Sequence, residues 1–372
     1  MYFSFGTEHD QLREAVRDFL SDKSPEAEVR RLMETEQGYD PAVWHQMAAQ
    51  LGLQGLTIDE KFGGAGYGYV ELLVVLEEMG RSLLCAPYFS TVALAANLLM
   101  TLGDGAAMSD YLPGIADGSL TATVALAEAS GRWDEPGITL AAAAGSAGGW
   151  TLAGEKTYVL DGHTAGLVLV TARTPGGVSV FAVEPGAAGF AAAPLSVMDA
   201  TRKQARLTFD ATPARLIGTE GTAWPVIAKT LDLAVVALAA EQVGGAQQVL
   251  DTAVAHARER VQYGRPIGSF QAVKHKCADL LVEVESARSA ACYAAWAAAE
   301  DSDELPAVAS LAKSLCSETY FHAAAENIQI HGGIGFTWEH SAHLYFKRAK
   351  SSELLFGDPS YHRELFARRS GM

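Results

Sequence analysis

The chain has 372 residues, which is too long for one hydrophobic core, so two or three domains are expected. Its 28 basic and 44 acidic side chains leave a formal net charge of −16, which argues against a nucleic-acid partner and favours solubility. A hydrophobic content of 49% is typical of a globular protein with a large interior and excludes a disordered chain.

The sequence predicts neither an export signal nor a membrane span. Residues 1–8 lack a basic region followed by an apolar run, and no stretch of about 20 uninterrupted apolar residues occurs. Cys85, Cys277, Cys292 and Cys316 lie far apart without a Cys-x-x-Cys pair, so neither a zinc site nor a disulfide framework is predicted. We expect a cytoplasmic protein without membrane contact, whose cysteines are reduced and buried.

Helical periodicity dominates the first 118 residues. Thr7, followed by acidic residues, is typical of a helix start, and Pro25 lies beyond the end of that helix. The spacing of apolar residues predicts helices over 7–20, 41–52, 71–81 and 91–102. We therefore expect an all-helical N-terminal domain over residues 1–118.

The composition changes after Ser119. Short β-branched or aromatic runs are separated there by glycine, proline and aspartate turns. The runs are at 121–126, 150–152, 157–160, 167–171, 178–183 and 205–209. This pattern is typical of an antiparallel β domain, which we place at residues 119–217.

Helical spacing returns over residues 218–372. A long helix from Thr230 is expected to end before Gly264, with Arg258 and Arg260 in its last turn, where cations favour the helix dipole. Further helical faces are expected at 280–291 and 307–325. The predicted fold class is α+β multidomain, with an N-terminal helical domain, a middle antiparallel β-barrel and a C-terminal four-helix bundle.

Two segments of the C-terminal region combine arginine, glutamine and glycine residues in a distinctive order. They are Arg260-Val-Gln-Tyr-Gly-Arg-Pro-Ile267 and Asn327-Ile-Gln-Ile-His-Gly-Gly-Ile-Gly-Phe336. A planar guanidinium grips a diphosphate through paired hydrogen bonds, and paired glycines let backbone amides approach phosphate. These segments resemble the flavin signatures of the acyl-CoA dehydrogenase family, and the resemblance covers essentially the whole chain.

The resemblance implies FAD as the cofactor. In the family, the matching Arg, Gln and glycines reach into a neighbouring subunit and hold the pyrophosphate and adenosine side of its FAD. The predicted cofactor-binding residues of this chain are Arg260, Tyr263, Gln271, Gln329, Gly332 and Gly333. His331 lies among these adenosine-side residues, so we do not expect it to act as a general base.

The segments that contact the flavin ring in the family are altered here. The family uses a Thr-Glu-Pro segment and a Trp-Ile-Thr or Trp-Ile-Ser segment, matched by Ala127-Glu128-Ala129 and Tyr158-Val159-Leu160. Ala127 and Leu160 each replace a hydroxyl residue, which predicts a degraded flavin-ring pocket. The alternative is that backbone amides do this work and the ring still binds.

The groups that serve the thioester and the base are also replaced. Medium-chain members place an Arg three residues after the Asp matched by Asp232, where this chain has Val235, and isovaleryl members place the catalytic Glu at Ala234. In the common branches the catalytic Glu falls at Phe356, immediately before Gly357. Phenylalanine cannot accept the α-proton that dehydrogenation removes, so the catalytic base of this chain is unknown.

Three nearby acids are conceivable substitutes for the missing base. They are Glu353, Asp358 and Glu241, and each would need a different geometry from the family's Glu. His340 and His343 are spaced three residues apart without a third ligand, so no metal site is predicted. These two histidines are expected to serve an interface or the packing.

The groups that serve a neighbour's FAD are thus kept, whereas those that serve the chain's own flavin ring, thioester and base are replaced. The family includes α2β2 heterotetramers, best known from bacterial steroid side-chain degradation, in which one subunit type carries the catalytic Glu. This sequence resembles the other type.

The leading hypothesis is a subunit of a FAD-dependent acyl-CoA dehydrogenase that introduces an α,β double bond into a bulky acyl-CoA. Its expected partners are a Glu-bearing homologous subunit, the acyl-CoA and an electron acceptor. One alternative is a self-sufficient homotetrameric acyl-CoA dehydrogenase with Glu241 or Asp358 as its base. Another is a non-catalytic scaffold subunit without flavin.

Overall fold

The computed structural model describes residues 6–145 and 149–372. Helices occupy the chain before the first strand of the sheet. They are α1 (Thr7–Lys23), α2 (Glu26–Met33), α3 (Pro41–Leu51), α4 (Tyr69–Arg81), α5 (Asn97–Leu102) and α6 (Gly105–Ala116). The helical N-terminal region predicted from the apolar spacing is therefore confirmed.

The ends of these helices follow local chemistry. The Asp40 carboxylate accepts the backbone N–H of Ala42 at 2.8 Å and caps α3, which ends at Gly52 with a φ of 62°. The helix predicted to begin at Thr91 starts instead as a π-helical segment, Phe89–Ala96, before α5 continues it. Apolar spacing does not distinguish π-helical turns from α-helical ones in so short and so fully buried a stretch.

Strands form the middle of the chain. They are β1 (Ala122–Ala125), β2 (Ala141–Ala144), β3 (Trp150–Leu160), β4 (Leu167–Thr174), β5 (Gly177–Val183), β6 (Phe190–Pro194) and β7 (Gln204–Ile217). Neighbouring strands pair in the order β4, β2, β3, β7, β5, and β5 pairs again with β4, so the sheet closes into a barrel. The predicted β-barrel is therefore confirmed.

The pairings of the sheet are antiparallel, including that of β4 with β5, with two exceptions. β4 is parallel to β1 and touches β2 in parallel at one residue pair. Both faces of β4 are buried. Val168 and Val170 belong to the barrel interior with Phe181, whereas Leu167 and Leu169 belong to a second core that includes residues of α5 and α6. Alternate side chains of one strand thus fill two cores.

Helices return after the barrel. They are α7 (Trp224–Glu259), α8 (Gln271–Ala299), α9 (Leu305–His331), α10 (Ala342–Leu354) and α11 (Pro359–Arg369). A short hairpin, β8 (Val261–Gln262) with β9 (Arg265–Pro266), lies between α7 and α8. The long helix begins at Trp224 rather than at the predicted Thr230. It ends at Glu259, so the expectation that Arg260 lies in its last turn was wrong.

The described chain divides into two compact units, each with its own core. Unit 1 contains residues 6–30, 69–84 and 235–372, and unit 2 contains residues 31–68 and 85–234, including the barrel. In unit 1, side chains of α7, α8, α9 and α10 share one apolar core. The two segments predicted to bind the cofactor adjoin helices of this bundle.

Two glycines allow α4 and α7 to cross at close range in unit 1. A Cβ at Gly244 would stand 1.8 Å from the carbonyl oxygen of Glu77, and a Cβ at Gly80 would stand 2.0 Å from that of Glu241. Both distances are far shorter than any real Cβ contact, so the backbones can meet here only because side chains are missing.

None of the four cysteines, all of which lie in the described residues, forms a disulfide. Cys85 and Cys316 are buried, but Cys277 and Cys292 are partly exposed, so the prediction of four buried thiols was wrong for the last two. Burial raises the pKa of Cys316 to about 12. Among the described residues, no helix is both long and apolar enough to cross a membrane.

Candidate functional site

The hairpin after α7 presents the first candidate segment. Val261 pairs with Pro266 and Gln262 with Arg265, so Tyr263 and Gly264 form a two-residue turn with φ values of 54° and 76°. Such turns require positive φ at both positions, which costs a tyrosine roughly 1–2 kcal/mol. Tyr263 is nonetheless 92% exposed. A residue with a strained backbone whose aromatic ring is exposed to solvent indicates a binding surface.

Arg260 links α7 to this hairpin. Its backbone N–H donates to the carbonyl of His256 at 2.9 Å, and its own carbonyl accepts the N–H of Ile267 at 2.8 Å. The backbone is therefore fixed, while the side chain is exposed. Within residues 6–145 and 149–372 the Arg260 guanidinium makes no ion pair, so it is free to bind an anion.

The second candidate segment is the turn that ends α9. Gly332 has a φ of 65° and a ψ of −141°, a combination that is open to glycine but not to residues with a Cβ. A Cβ on Gly332 or Gly333 would meet nothing within 4 Å, so the backbone lies open on this side. Gln329, one turn earlier, is also exposed. Open glycine backbone and an exposed arginine are both suited to contact the diphosphate of a dinucleotide.

Gln271 is exposed at the first position of α8. The ring of Phe270 just before it lies 4.1 Å from the Arg265 guanidinium and 6.1 Å from the Tyr263 ring. Arg265 is thus held against an aromatic face within the hairpin region, whereas Arg260 is not. All six predicted cofactor residues belong to unit 1 and are exposed.

Three histidine rings stack next to the glycine turn. The sequence did not predict this stacking. The ring centroid of His331 lies 4.1 Å from that of His256 and 4.3 Å from that of His340. His331 Nδ1 donates to the carbonyl of Asn327 at 2.8 Å. We call His256, His331 and His340 the histidine column.

The loop that carries the family's base is rigidly held. Phe356 is buried with a φ of 61°, a left-handed conformation that is rare for an aromatic residue. Its carbonyl accepts a hydrogen bond from His362 Nε2 at 3.1 Å. Lys313, which is fully buried, donates to the carbonyls of Ser352 and Glu353 at 2.8 and 2.9 Å. These hydrogen bonds to backbone carbonyls hold the loop in place and do not depend on the side chain at position 356.

The acids considered as substitute bases have other partners. Glu241 is buried and accepts a hydrogen bond from Arg348 at 2.8 Å. Asp358 caps α11 by accepting the backbone N–H of Tyr361 at 2.7 Å. Glu353 is likewise paired, with Lys350 Nζ at 2.8 Å. Each of the three carboxylates is therefore held by a neighbouring donor, and that contact would have to break before the carboxylate could reach a substrate.

The flavin-ring segments lie in unit 2. Lys156, fully buried on β3, donates to Glu128 Oε1 at 2.7 Å and to the carbonyl of Leu126 at 2.9 Å. Burial lowers the pKa of Lys156 to about 8, although Glu128 opposes the shift. The Thr157 N–H also donates to the carbonyl of Ala127 at 2.9 Å. The two segments are therefore joined firmly even though their hydroxyls are absent.

A β-bulge lies in the second of these segments, residues 158–160. The register between β3 and β7 shifts between Lys156 and Val159, and Tyr158 within the shift has a φ of 57° and is 46% exposed. Leu160, at the family's hydroxyl position, is buried, and its carbonyl accepts the Thr123 hydroxyl at 2.6 Å. Leucine therefore offers no side-chain donor at this point.

A cavity of about 430 Å³ lies elsewhere in unit 1, among α1, α4, α7 and α10. Arg17, Arg81 and Tyr345 are among its lining residues, and none of the predicted cofactor residues contributes to it. In the part of the chain that the structure describes, no group of three His, Cys, Asp or Glu side chains is placed to hold a metal ion.

Models of the acyl-CoA dehydrogenase family match the chain in three consecutive parts. The N-terminal domain matches residues 6–119, the middle domain residues 123–212 and the C-terminal domain residues 221–371. Together the three matches cover far more than half of the sequence.

Similar proteins include heteromeric and steroid-related members. Acyl-CoA dehydrogenase IpdE2 of Mycobacterium tuberculosis is 35% identical over 353 residues, covering 95% of this chain and 94% of that protein. The crystal structure of the ChsE4–ChsE5 complex from Mycobacterium tuberculosis is 29% identical with a TM-score of 0.91, covering 100% of this chain and 99% of that one. The Tcur3481–Tcur3483 steroid ACAD is 32% identical with a TM-score of 0.88, covering 99% of both chains. The chain belongs to the acyl-CoA dehydrogenase family.

Proposed function

We propose that this chain is one subunit of a heteromeric, FAD-dependent acyl-CoA dehydrogenase and completes the FAD site of a Glu-bearing homologue. The observation that carries the proposal is a contrast within unit 1. The Arg260 guanidinium is exposed and makes no ion pair with any described residue, whereas the position matched to the family's catalytic Glu holds the buried, apolar Phe356. An exposed arginine that can bind an anion is suited to a cofactor held largely by another subunit. An apolar residue at the position of the catalytic Glu is consistent with proton removal by that other subunit.

When bound, FAD supplies the acceptor for the hydride that leaves the β-carbon of the thioester. The proposed work of this chain is to hold and orient that cofactor. Arg260 would donate hydrogen bonds to the diphosphate, and the open backbone at Gly332 and Gly333 would approach it closely. Tyr263, Gln271 and Gln329 would flank the adenosine side. The α-proton would go to the partner's carboxylate.

Exposed aromatic side chains next to these residues support a subunit contact. Tyr263, Phe336 and Trp338 are 92%, 83% and 68% exposed, and each lies in or beside a candidate cofactor segment. Large exposed apolar groups that adjoin functional polar groups are typical of interfaces. Because they adjoin the proposed cofactor grip, we assign this face to the Glu-bearing subunit.

The substrate class is inferred from similar proteins. A steroid ACAD and a two-component ChsE4–ChsE5 complex are both similar to this chain over nearly its full length. We therefore infer a bulky acyl-CoA, such as a steroid side-chain thioester, and a separate electron acceptor. We also assign three functional domains to residues 1–118, 119–217 and 218–372.

The alternatives require rearrangement of observed contacts. A self-sufficient enzyme would need Glu241 to leave Arg348, or Asp358 to leave its cap on α11. A scaffold without flavin would leave the open site around Arg260 and Gly332 without a role. These contacts favour the partner-subunit proposal over both.

The deciding experiment is co-expression of this chain with a Glu-bearing homologue, compared with expression alone. We expect an α2β2 complex with about two FAD per tetramer, measured by flavin absorbance per protein mass and by light scattering. Four FAD per tetramer, or a fully flavinated and active homotetramer of this chain, would refute the proposal. A colourless chain that binds no homologue would support the scaffold instead.

A matched pair of variants tests the cofactor grip within the complex. Arg260→Ala should lower FAD occupancy because the diphosphate loses a charge-assisted pair of hydrogen bonds. Arg258→Ala removes another exposed arginine two residues earlier and should leave occupancy unchanged. Equal flavin content in the two variants would contradict the assigned role of Arg260.

A further inference from the structure

The histidine column joins three separate parts of unit 1 at the glycine turn. His256 lies one turn before the end of α7, His331 ends α9 immediately before Gly332, and His340 precedes α10. His331 is sandwiched between the other two rings, with interplanar angles of 28° and 50°. The column is therefore attached directly to the backbone that is proposed to meet the diphosphate.

Two ring nitrogens of the column already take part in hydrogen bonds with the backbone. His331 Nδ1 faces the Asn327 carbonyl, so it carries a hydrogen, and Nε2 holds the lone pair of the neutral ring. His340 Nδ1 accepts the N–H of Ala342 at 3.1 Å, the first residue of α10, so protonation there would break a helix contact. A proton entering the column is thus best placed on His331 Nε2 or on His256.

We propose that the histidine column is a proton-dependent part of the dinucleotide site, taking up one proton when a diphosphate binds at Arg260 and the Gly332–Gly333 turn. The inference rests on the proposed function. Without an anion, a proton on one imidazole lies beside Arg260 and the other rings and is disfavoured. A diphosphate compensates that charge, so binding and protonation assist each other.

The charges that face the column agree with this coupling. At the end of α7 they are Glu259, the last residue of the helix, and Arg260, the residue after it, and both act on His256. Burial, followed by His331 and Arg260, lowers the pKa of His256. On α2 they are Glu26 and Arg30, which act on His340, whose pKa is lowered by burial and then by His331. Glu259 and Glu26 oppose these shifts without reversing them, so the lowered pKa values of His256 and His340 favour their neutral forms until an anion arrives.

The first test measures FAD binding to the co-purified complex, stripped of flavin and retitrated, at about pH 8 and about pH 6. We expect the affinity to increase roughly three- to tenfold at the lower pH, since one proton gives at most about tenfold per pH unit. His331→Phe keeps a flat ring in the stack, but that ring cannot take the proton, so the pH dependence should be reduced. A pH-independent wild type, or an unchanged pH dependence in the variant, would overturn the proposal.

The matched control is His322→Phe on the same helix, where the exposed His322 contacts Glu283 instead of the column. It should retain the full pH dependence of FAD binding. If His331→Phe folds poorly, His256→Phe provides the same test from α7, since its ring also stacks in the column.

The second test counts protons directly. Calorimetric titration of this complex with FAD, whose diphosphate does not titrate near neutrality, in two buffers of different ionisation enthalpy near pH 7 should show net proton uptake that is reduced in His331→Phe and retained in His322→Phe. Uptake that does not depend on His331 or His256 would overturn the inference. If FAD binds through Arg260 without any pH dependence, the column alone loses its role. If no FAD binds at any pH, the proposed function fails as well.

Discussion

Arg348 of α10 donates a hydrogen bond of 2.8 Å to Glu241 of α7, and both side chains are buried. Two charges removed from water are tolerated here only because each neutralises the other. The pair therefore fixes the position of α10, which leads into the loop of Phe356. Its presence also explains why Glu241 is an unsuitable base.

We expect Arg348→Met to destabilise the chain by about 3–5 kcal/mol, because the buried carboxylate of Glu241 then loses the cation that faces it. The double variant Arg348→Met with Glu241→Leu should recover much of that loss, since it removes both charges. Urea unfolding of the single and double variants measures the difference. A single variant as stable as the wild type would show that water reaches Glu241.

Gly244→Ala should destabilise unit 1 by at least about 2 kcal/mol, since the new Cβ would stand 1.8 Å from the carbonyl of Glu77 and force α4 from α7. Gly105→Ala is the control, because Gly105 is also helical but a Cβ there meets nothing within 4 Å. That variant should be neutral or slightly stabilised. Equal effects in thermal unfolding would contradict the close crossing.

Protonation of His362 should make the chain less stable in mild acid. Burial lowers its pKa to about 4, against roughly 6.5 in the unfolded chain, so the unfolded state binds more protons between these values. Its contribution to stability is complete above about pH 6.5 and declines by up to about 3 kcal/mol as the pH falls to about 4.

His362→Gln should reduce this pH dependence, whereas His45→Gln, at an exposed position, should not. Urea unfolding at a series of pH values provides the comparison. Parallel pH profiles for His362→Gln and the wild type would show that His362 already titrates normally in the folded chain.

Phe356→Glu alone should not produce an efficient enzyme. The carboxylate would return to the family's position, but Val235 and Leu160 would still offer neither a cation nor a hydroxyl donor. Phe356→Gln, which has similar size without a carboxylate, is the control. The assay is dehydrogenation of acyl-CoA by the chain alone with an artificial electron acceptor. High activity confined to the Glu variant would show that the remaining pocket is intact.

Apolar periodicity predicted most helices and the main strands, and it failed where alanine replaces the usual strand formers. β2 consists of four alanines and most of β6 is alanine, so neither gave a strand signal, and β6 is a strand because it pairs with β7. β3 was predicted as two runs because the sequence between them is polar. It is one strand, continued through the bulge at Tyr158.

The candidate site was predictable to different degrees. The cofactor segments are continuous in sequence, so their resemblance to a family identified them. The structure adds that their predicted cofactor residues are exposed and that Arg260 makes no ion pair with a described residue. The histidine column could not be predicted, because its stacking depends on how α7 and α9 pack. Nor could the contacts of Glu241, whose partner Arg348 lies more than a hundred residues away.

The two fully buried ammonium groups, Lys156 in unit 2 and Lys313 in unit 1, have a consequence for chemical labelling. An amine-reactive reagent needs a free, accessible amine, and these two are enclosed and hydrogen-bonded, whereas Lys61 is exposed. Each can be modified only when its surroundings open. Mass spectrometry of slowly labelled protein would therefore time the opening of the barrel and of the helical bundle separately, in a single sample and without denaturant.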